Sequence, residues 1–118
     1  MDKSKNKKTG DVGERLAAEY LIGIGYKILD TNYNMFCGEI DILAKDKKSI
    51  VLVEVKTVRG ENFGPAKGYV TRKKQQKLMI LVKALEQEYQ KSTIRIDVIG
   101  VHMHDNPPRI EHLINAVN

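Results

Sequence analysis

The chain reads as an α/β fold, a mixed sheet flanked by helices in the order helix, three strands, helix, strand. Apolar residues recur at helical spacing over 11–24 and 71–89, while β-branched runs fill Ile40 to Ala44, Ile50 to Lys56 and Ile94 to Val101. The joins supply the topology. A short polar turn, Lys45 to Ser49, links two of the runs as a hairpin, and a helix separates the third from the fourth, so a right-handed crossover makes that last pair parallel.

The first helix is expected over about Asp11 to Gly23, capped by Thr9 or Asp11 and stopped at Gly25, with Leu16, Ala17, Tyr20, Leu21 and Ile24 as its apolar stripe. Glu14 lies at the edge of that inward face. It either complements the positive helix end or stands beside the carboxylates of the hairpin. Tyr26 to Tyr33 reads as the first strand and Asn34 to Gly38 as the turn into the hairpin, which makes a three-stranded meander. Thr57 to Val70 follows as a glycine-rich loop whose Phe63, Lys67 and Tyr69 suit contact with a substrate. The second helix spans about Thr71 to Tyr89, burying Leu78, Leu81, Val82, Leu85 and Tyr89. Thr93 to Val101 is a buried strand, and Arg109 to Val117 an edge strand. Asp97 reads as a structural partner of Arg95, whereas His102, His104 and His112 lack zinc-ligand spacing and read as incidental.

Composition narrows the class. At 118 residues the chain suits one domain over 10–118, preceded by a basic arm over 1–9 expected to be disordered. A net charge of +5 favours an anionic partner such as nucleic acid. The single cysteine, Cys37, excludes an internal disulfide, and the opening residues lack the apolar core of a signal peptide, so a cytoplasmic setting is expected. The apolar run Leu78 to Val82 falls far short of the roughly 20 residues that span a bilayer. No helix pairs a basic face with a bulky aromatic one, so no membrane partner is expected either.

The chemistry concentrates in the hairpin. Strand alternation groups Ile40, Ile42 and Ala44 on one face and Glu39, Asp41 and Leu43 on the other; in the next strand Val51, Val53 and Val55 oppose Leu52, Glu54 and Lys56. If the turn centres on Lys47-Lys48, Asp41 comes opposite Glu54. Unpartnered carboxylates in so apolar a stretch cost several kcal/mol each. A divalent cation removes that cost, and Mg²⁺ takes one or two carboxylates with water and phosphate completing its shell. The competing reading is an ion pair of Lys56 with Glu54 or Asp41 on a solvated sheet face. At the start of the second helix Arg72, Lys73, Lys74 and Lys77 oppose the helix dipole, which suits either a phosphate or plain solvation.

Taken together, Gly13-Glu14 with Ala17, Gly38-Glu39-Ile40-Asp41-Ile42, Val53-Glu54-Val55-Lys56, Phe63-Gly64, Arg95-Ile96-Asp97-Val98-Ile99 and Asn115-Ala116 resemble the PD-(D/E)xK nuclease superfamily. Within it they are similar to the YraN-like family of predicted endonucleases, distantly related to archaeal Holliday-junction resolvases. Ile40 stands where the superfamily pattern has proline. The resemblance implies a restriction-endonuclease-like αβββαβ core. It implies Asp41, Glu54 and the Val55 carbonyl as ligands of Mg²⁺ or Mn²⁺, Lys56 as the catalytic lysine, and Glu14 as an accessory acid. Arg72, Lys73, Lys74, Lys77 and Lys67 would then hold phosphates. The expected activity is metal-dependent hydrolysis of DNA phosphodiesters by a structure-selective endonuclease on branched or nicked DNA, for which a homodimer would suit a symmetrical junction. The alternative is a nucleic-acid-binding module on the same scaffold that cuts nothing.

Overall fold

The computed structural model describes residues 3–58 and 70–117, with side chains described from residue 11 onward. Phe63, Lys67 and Tyr69, expected in a substrate-facing loop, lie outside the described residues, as does the Thr9 side chain. Among the described residues the elements run α1 (Lys3–Gly23), β1 (Lys27–Met35), β2 (Gly38–Asp46), β3 (Ser49–Val58), α2 (Arg72–Glu88), β4 (Thr93–His102) and β5 (Arg109–Leu113). The sheet is ordered β1-β2-β3-β4-β5, with β3 and β4 parallel and the other neighbours antiparallel.

One helix packs on each face. Ala17 and Leu21 of α1 are fully buried on Ile42, Ala44, Val51, Val53, Ile99 and Val101. Leu78, Leu81, Val82 and Leu85 of α2 cover Ile40, Leu43, Ile50, Leu52 and Ile96 on the other. The strands β3 and β4 are thus sandwiched, which is why they read as nearly continuous apolar runs. The turn between β2 and β3 falls at Lys47-Lys48, as the hairpin register required, with Lys47 at a φ of 56°.

Several expectations need correction. Helix α1 begins at Lys3, so neither Thr9 nor Asp11 caps it, and residues 3–9 of the expected disordered arm continue the helix. Lysine's unbranched side chain is helix-permissive and nothing from Lys3 to Lys8 breaks the pattern. Ile24 is largely exposed because α1 has already ended; Gly25, at a φ of 102°, turns the chain and lets the Tyr26 N–H bond the Leu21 carbonyl at 2.9 Å. Ile40 does not share a face with Ile42, since it joins the α2 core while Ile42 joins the α1 core. Strand β2 therefore changes face across Asp41.

The histidines are not incidental. Asp97, with 0 % exposure, accepts bonds from Tyr26 Oη (2.9 Å), Arg95 Nε (2.9 Å) and the Asn115 N–H (3.1 Å), and lies 2.7 Å from His112 Nε2. His112 Nδ1 in turn meets Tyr20 Oη at 3.0 Å, and His102 pairs with Glu111 at 2.9 Å. Asp97 is thus a structural node, tying β4 to β5 and to the α1–β1 junction. Burial alone would raise its pKa, yet the bonds from His112, Arg95, Asn115 and Tyr26 bring it down from 3.8 to about 2.

That depression sets a sign. A carboxyl held below its ordinary range contributes stability above pH 3.8 and loses it as pH falls through about 2. Wild type should therefore lose stability steeply in that acid window, and Asp97→Asn should flatten the loss; parallel acid-unfolding curves would show the network to be energetically idle.

Helix α1 comes very near β3 at Gly13. A Cβ built on buried Gly13 would run into Thr57 Oγ1, so α1 can sit this near β3 only with glycine there. Gly13→Ala should destabilise by about 1–3 kcal/mol through overpacking. In a Thr57→Ala background the same change should instead stabilise by up to about 1 kcal/mol, the helix-propensity gain of alanine. Equal effects in both backgrounds, measured by chemical denaturation, would contradict the contact.

Candidate metal centre

The hairpin splits at its open end. Pairing of β2 with β3 runs from Asp46–Ser49 to Ile42–Val53 and stops there. Beyond it, β2 keeps pairing with β1 through Ile40–Tyr33 and Asn34–Glu39, and β3 keeps pairing with β4 from Glu54–Val98 to Val58–His102. Asp41 and Glu54 are the first residues past the split. Asp41 Oδ2 reaches across and accepts the Val55 N–H at 2.8 Å, taking the place of the lost ladder partner.

The two carboxyl groups come within hydrogen-bonding reach of each other. Burial, and then the neighbouring Asp41 charge, push Glu54 from 4.5 up to about 7, while Lys74 pulls the other way. The Lys74 ammonium sits 3.2 Å from Glu54 Oε2. It comes from the first turn of α2, where Thr71 caps the helix by accepting the Lys74 N–H at 3.2 Å. Lys74, expected to hold nucleic acid, thus contacts a carboxylate in this structure. Lys56 is exposed and lines a pocket of about 220 Å³ with Glu54, Thr71, Lys74 and Val98, and the competing reading, an ion pair of Lys56 with either acid, is not among the described contacts.

From the opposite face α1 brings Glu14. Burial comes first, then repulsion from Asp41, Asp11 and Glu39, in raising its carboxyl to about 7. Asn32 stands opposite Asp41 on β1, between the pairs Thr31–Ile42 and Tyr33–Ile40, at a φ of 49° that asparagine tolerates better than most residues. With its amide nitrogen turned toward the acids, Asn32 donates to Glu14 Oε1 and Glu39 Oε1, each at 3.1 Å. Glu39 and Asn32 were not expected in the site. Glu39 had a signal, since alternation placed it on the same side as Asp41, but the left-handed backbone of Asn32 has none in the periodicity.

The donor set fits a hard divalent cation. Asp41 and Glu54 form a crowded, partly dehydrated pair whose repulsion is relieved either by retaining a proton or by gaining positive charge. Among the described residues no cluster of three or more His, Cys, Asp or Glu side chains is placed to hold a metal ion, so a cation here would lean on two carboxylates, backbone and water. Arg72, Lys73 and Lys77 are exposed along the first turns of α2, and Lys77 lines a pocket that reaches Glu54.

No helix of the described residues is long and apolar enough to cross a membrane. Comparison with known proteins gives the chain's kinship. The profile of the uncharacterised protein family UPF0102 matches residues 13–101, a span that includes Glu14, Asp41, Glu54, Lys56 and Asp97. A UPF0102 protein of Geotalea uraniireducens is 39% identical over 118 residues, covering 98% of this chain and 93% of the relative. One from Thermodesulfovibrio yellowstonii is 43% identical over 111 residues, covering 91% and 93%, and one from Caldanaerobacter subterraneus is 39% identical over 120 residues, covering 97% and 98%. With a match of this extent on both sides, the chain belongs to the UPF0102 family.

Proposed function

We propose that this protein is a metal-dependent phosphodiester hydrolase acting on DNA, a structure-selective endonuclease built on a restriction-endonuclease-like core. The observation that carries the reading is the Asp41–Glu54 pair, held together at a split between strands, with Glu54 raised to about 7 by burial and by its neighbour. Asp41 and Glu54 would hold Mg²⁺ or Mn²⁺, with the Val55 carbonyl as a further oxygen. Such an ion supplies a more acidic bound water and neutralises charge on the phosphate. The Asp41 bond to the Val55 N–H fixes one carboxylate before anything binds. Lys56, exposed in the pocket beside Glu54, would stabilise charge building on a phosphate. Arg72, Lys73 and Lys77 would neutralise flanking phosphates, giving affinity that falls with salt. Glu14 stands as an accessory acid on the α1 side.

The Lys74–Glu54 ion pair favours a second reading. An ammonium already compensating Glu54 is what a binding module without catalysis would retain. Incubating wild type with branched, nicked and linear DNA and Mg²⁺ or Mn²⁺ separates the two. The hydrolase reading expects cutting that chelation abolishes, that Asp41→Ala or Glu54→Ala removes, and that Lys56→Ala slows by about 10²–10³-fold. Binding without cutting on every substrate would leave only the module.

Stability provides a test independent of turnover. Glu14 and Glu54 are both raised from 4.5 to about 7, so the stability they contribute is fully present below 4.5 and lost as pH rises through about 7. The melting temperature should therefore drop between about pH 5 and about pH 8, with Mn²⁺ restoring it at the upper end. Glu54→Gln should both flatten the drop and abolish the rescue. A wild-type melting temperature indifferent to Mn²⁺ at every pH would remove the cation from the account.

A further inference from the structure

Phe36 is 95 % exposed at the tip of the β1–β2 hairpin. Met35 pairs with Gly38, so Phe36 and Cys37 form a two-residue connection, a place where turn geometry favours asparagine, aspartate or glycine. Neither turn chemistry nor packing accounts for an aromatic ring there. Its neighbours do pack: Met35 and Cys37 lie against the α2 core, and a Cβ on Gly38 would touch Leu81 Cδ2 at 3.4 Å. The tip is thus anchored to α2 while the ring is presented to solvent.

The adjoining surface carries both signs of charge and leads to the split. A pocket of about 280 Å³ runs from Cys37, Gly38 and Glu39 at the tip to Glu54, with Lys74, which pairs with Glu54, and the exposed Lys77 on its helical wall and half-exposed Ile80 beside them. A flat apolar ring on a tip whose adjoining pocket carries the exposed Lys77 suits a nucleic-acid strand, whose unpaired bases are free to stack while a phosphate meets the lysine. A fully paired duplex hides its base faces and offers nothing to this ring.

We infer that Phe36 is a stacking platform for an unpaired nucleobase, with Lys77 taking a flanking phosphate. This inference rests on the proposed nucleic-acid substrate and gives that reading its selectivity, because a single-stranded stretch at a branch or gap is captured beside Glu54. Phe36 is a specificity residue here and takes no part in bond breaking.

The chain contains no tryptophan, so Phe36→Trp installs a single reporter at the tip. In a chelating buffer, where nothing can be cut, short oligo-dT should quench its fluorescence saturably and a blunt duplex should not. Phe36→Ala should weaken oligo-dT binding about tenfold or more while duplex binding stays within about twofold. Phe36→Leu, which keeps the apolar bulk without the ring, should behave like Phe36→Ala. An unquenched tryptophan with unchanged oligo-dT affinity in Phe36→Ala overturns the inference. So does a sedimentation result in which Phe36→Ala breaks a dimer and leaves affinity untouched, since the ring would then be a contact between copies. Quenching without any cutting under Mg²⁺ would count against the hydrolase alone; cutting without quenching would count against Phe36 alone.

Discussion

Strands β2 and β3 separate after Ile42 and Val53, and the arrangement of the candidate centre follows from that parting. A continuous ladder would bury Asp41 and Glu54 as a cross-strand pair of like charges, which costs more than either strand's apolar residues could easily offset. Where the strands diverge, Asp41 instead satisfies the Val55 N–H, and the chain of β2 rolls over so that Ile40 and Ile42 feed opposite cores. The carboxylates remain adjacent but gain access to solvent and to ligands from both sides. A defect in the sheet is thereby converted into a place where negative charge can be concentrated.

Both helices are fitted to this opening. The glycine at position 13 lets α1 approach β3 at Thr57, which brings Glu14 toward Asp41 and Asn32. The Thr71 cap starts α2 so that its first turn lays Lys74 over Glu54. Glu14, Glu39, Asp41, Glu54 and the Lys74 ammonium then share a small region, and burial first, with repulsion from Asp41 next, raises the carboxyl pKa values of Glu14 and Glu54. Asp97 behaves in the opposite sense: surrounded by donors, it is held ionised and structural. The contrast between half-buried carboxylates that repel one another and one saturated with donors separates candidate chemistry from scaffold.

Much of this was legible in the residues. Period-two runs located β2, β3 and β4, the turn at Lys47-Lys48 set the register, and the intervening helix made β4 parallel. Register alone brought Asp41 to Glu54. What escaped had no periodic signature. The face change at Asp41 and the left-handed backbone of Asn32 are departures from strand regularity, so an argument from regularity placed Ile40 on the wrong side and passed over Asn32. Long-range pairings such as Lys74 with Glu54 and His112 with Asp97 join residues far apart in the chain, and local spacing carries no information about them. The start of α1 escaped for a different reason: a lysine-rich opening without an apolar stripe looks unstructured to a pattern search, yet it is compatible with helix.

The central physical claim is that Asp41 and Glu54 are forced close enough to compete for protons and to welcome a divalent cation. Side-chain carbonyl NMR of Glu54, titrated with and without Mg²⁺, examines this most directly. The account requires a Glu54 titration near pH 7 in the metal-free protein, moving to lower pH as Mg²⁺ is added and falling part of the way toward the ordinary glutamate range in Asp41→Asn, where burial still holds it up. A midpoint near 4.5 that ignores both Mg²⁺ and the loss of the Asp41 charge would show two independent, solvated carboxylates, and the proposed centre would not exist.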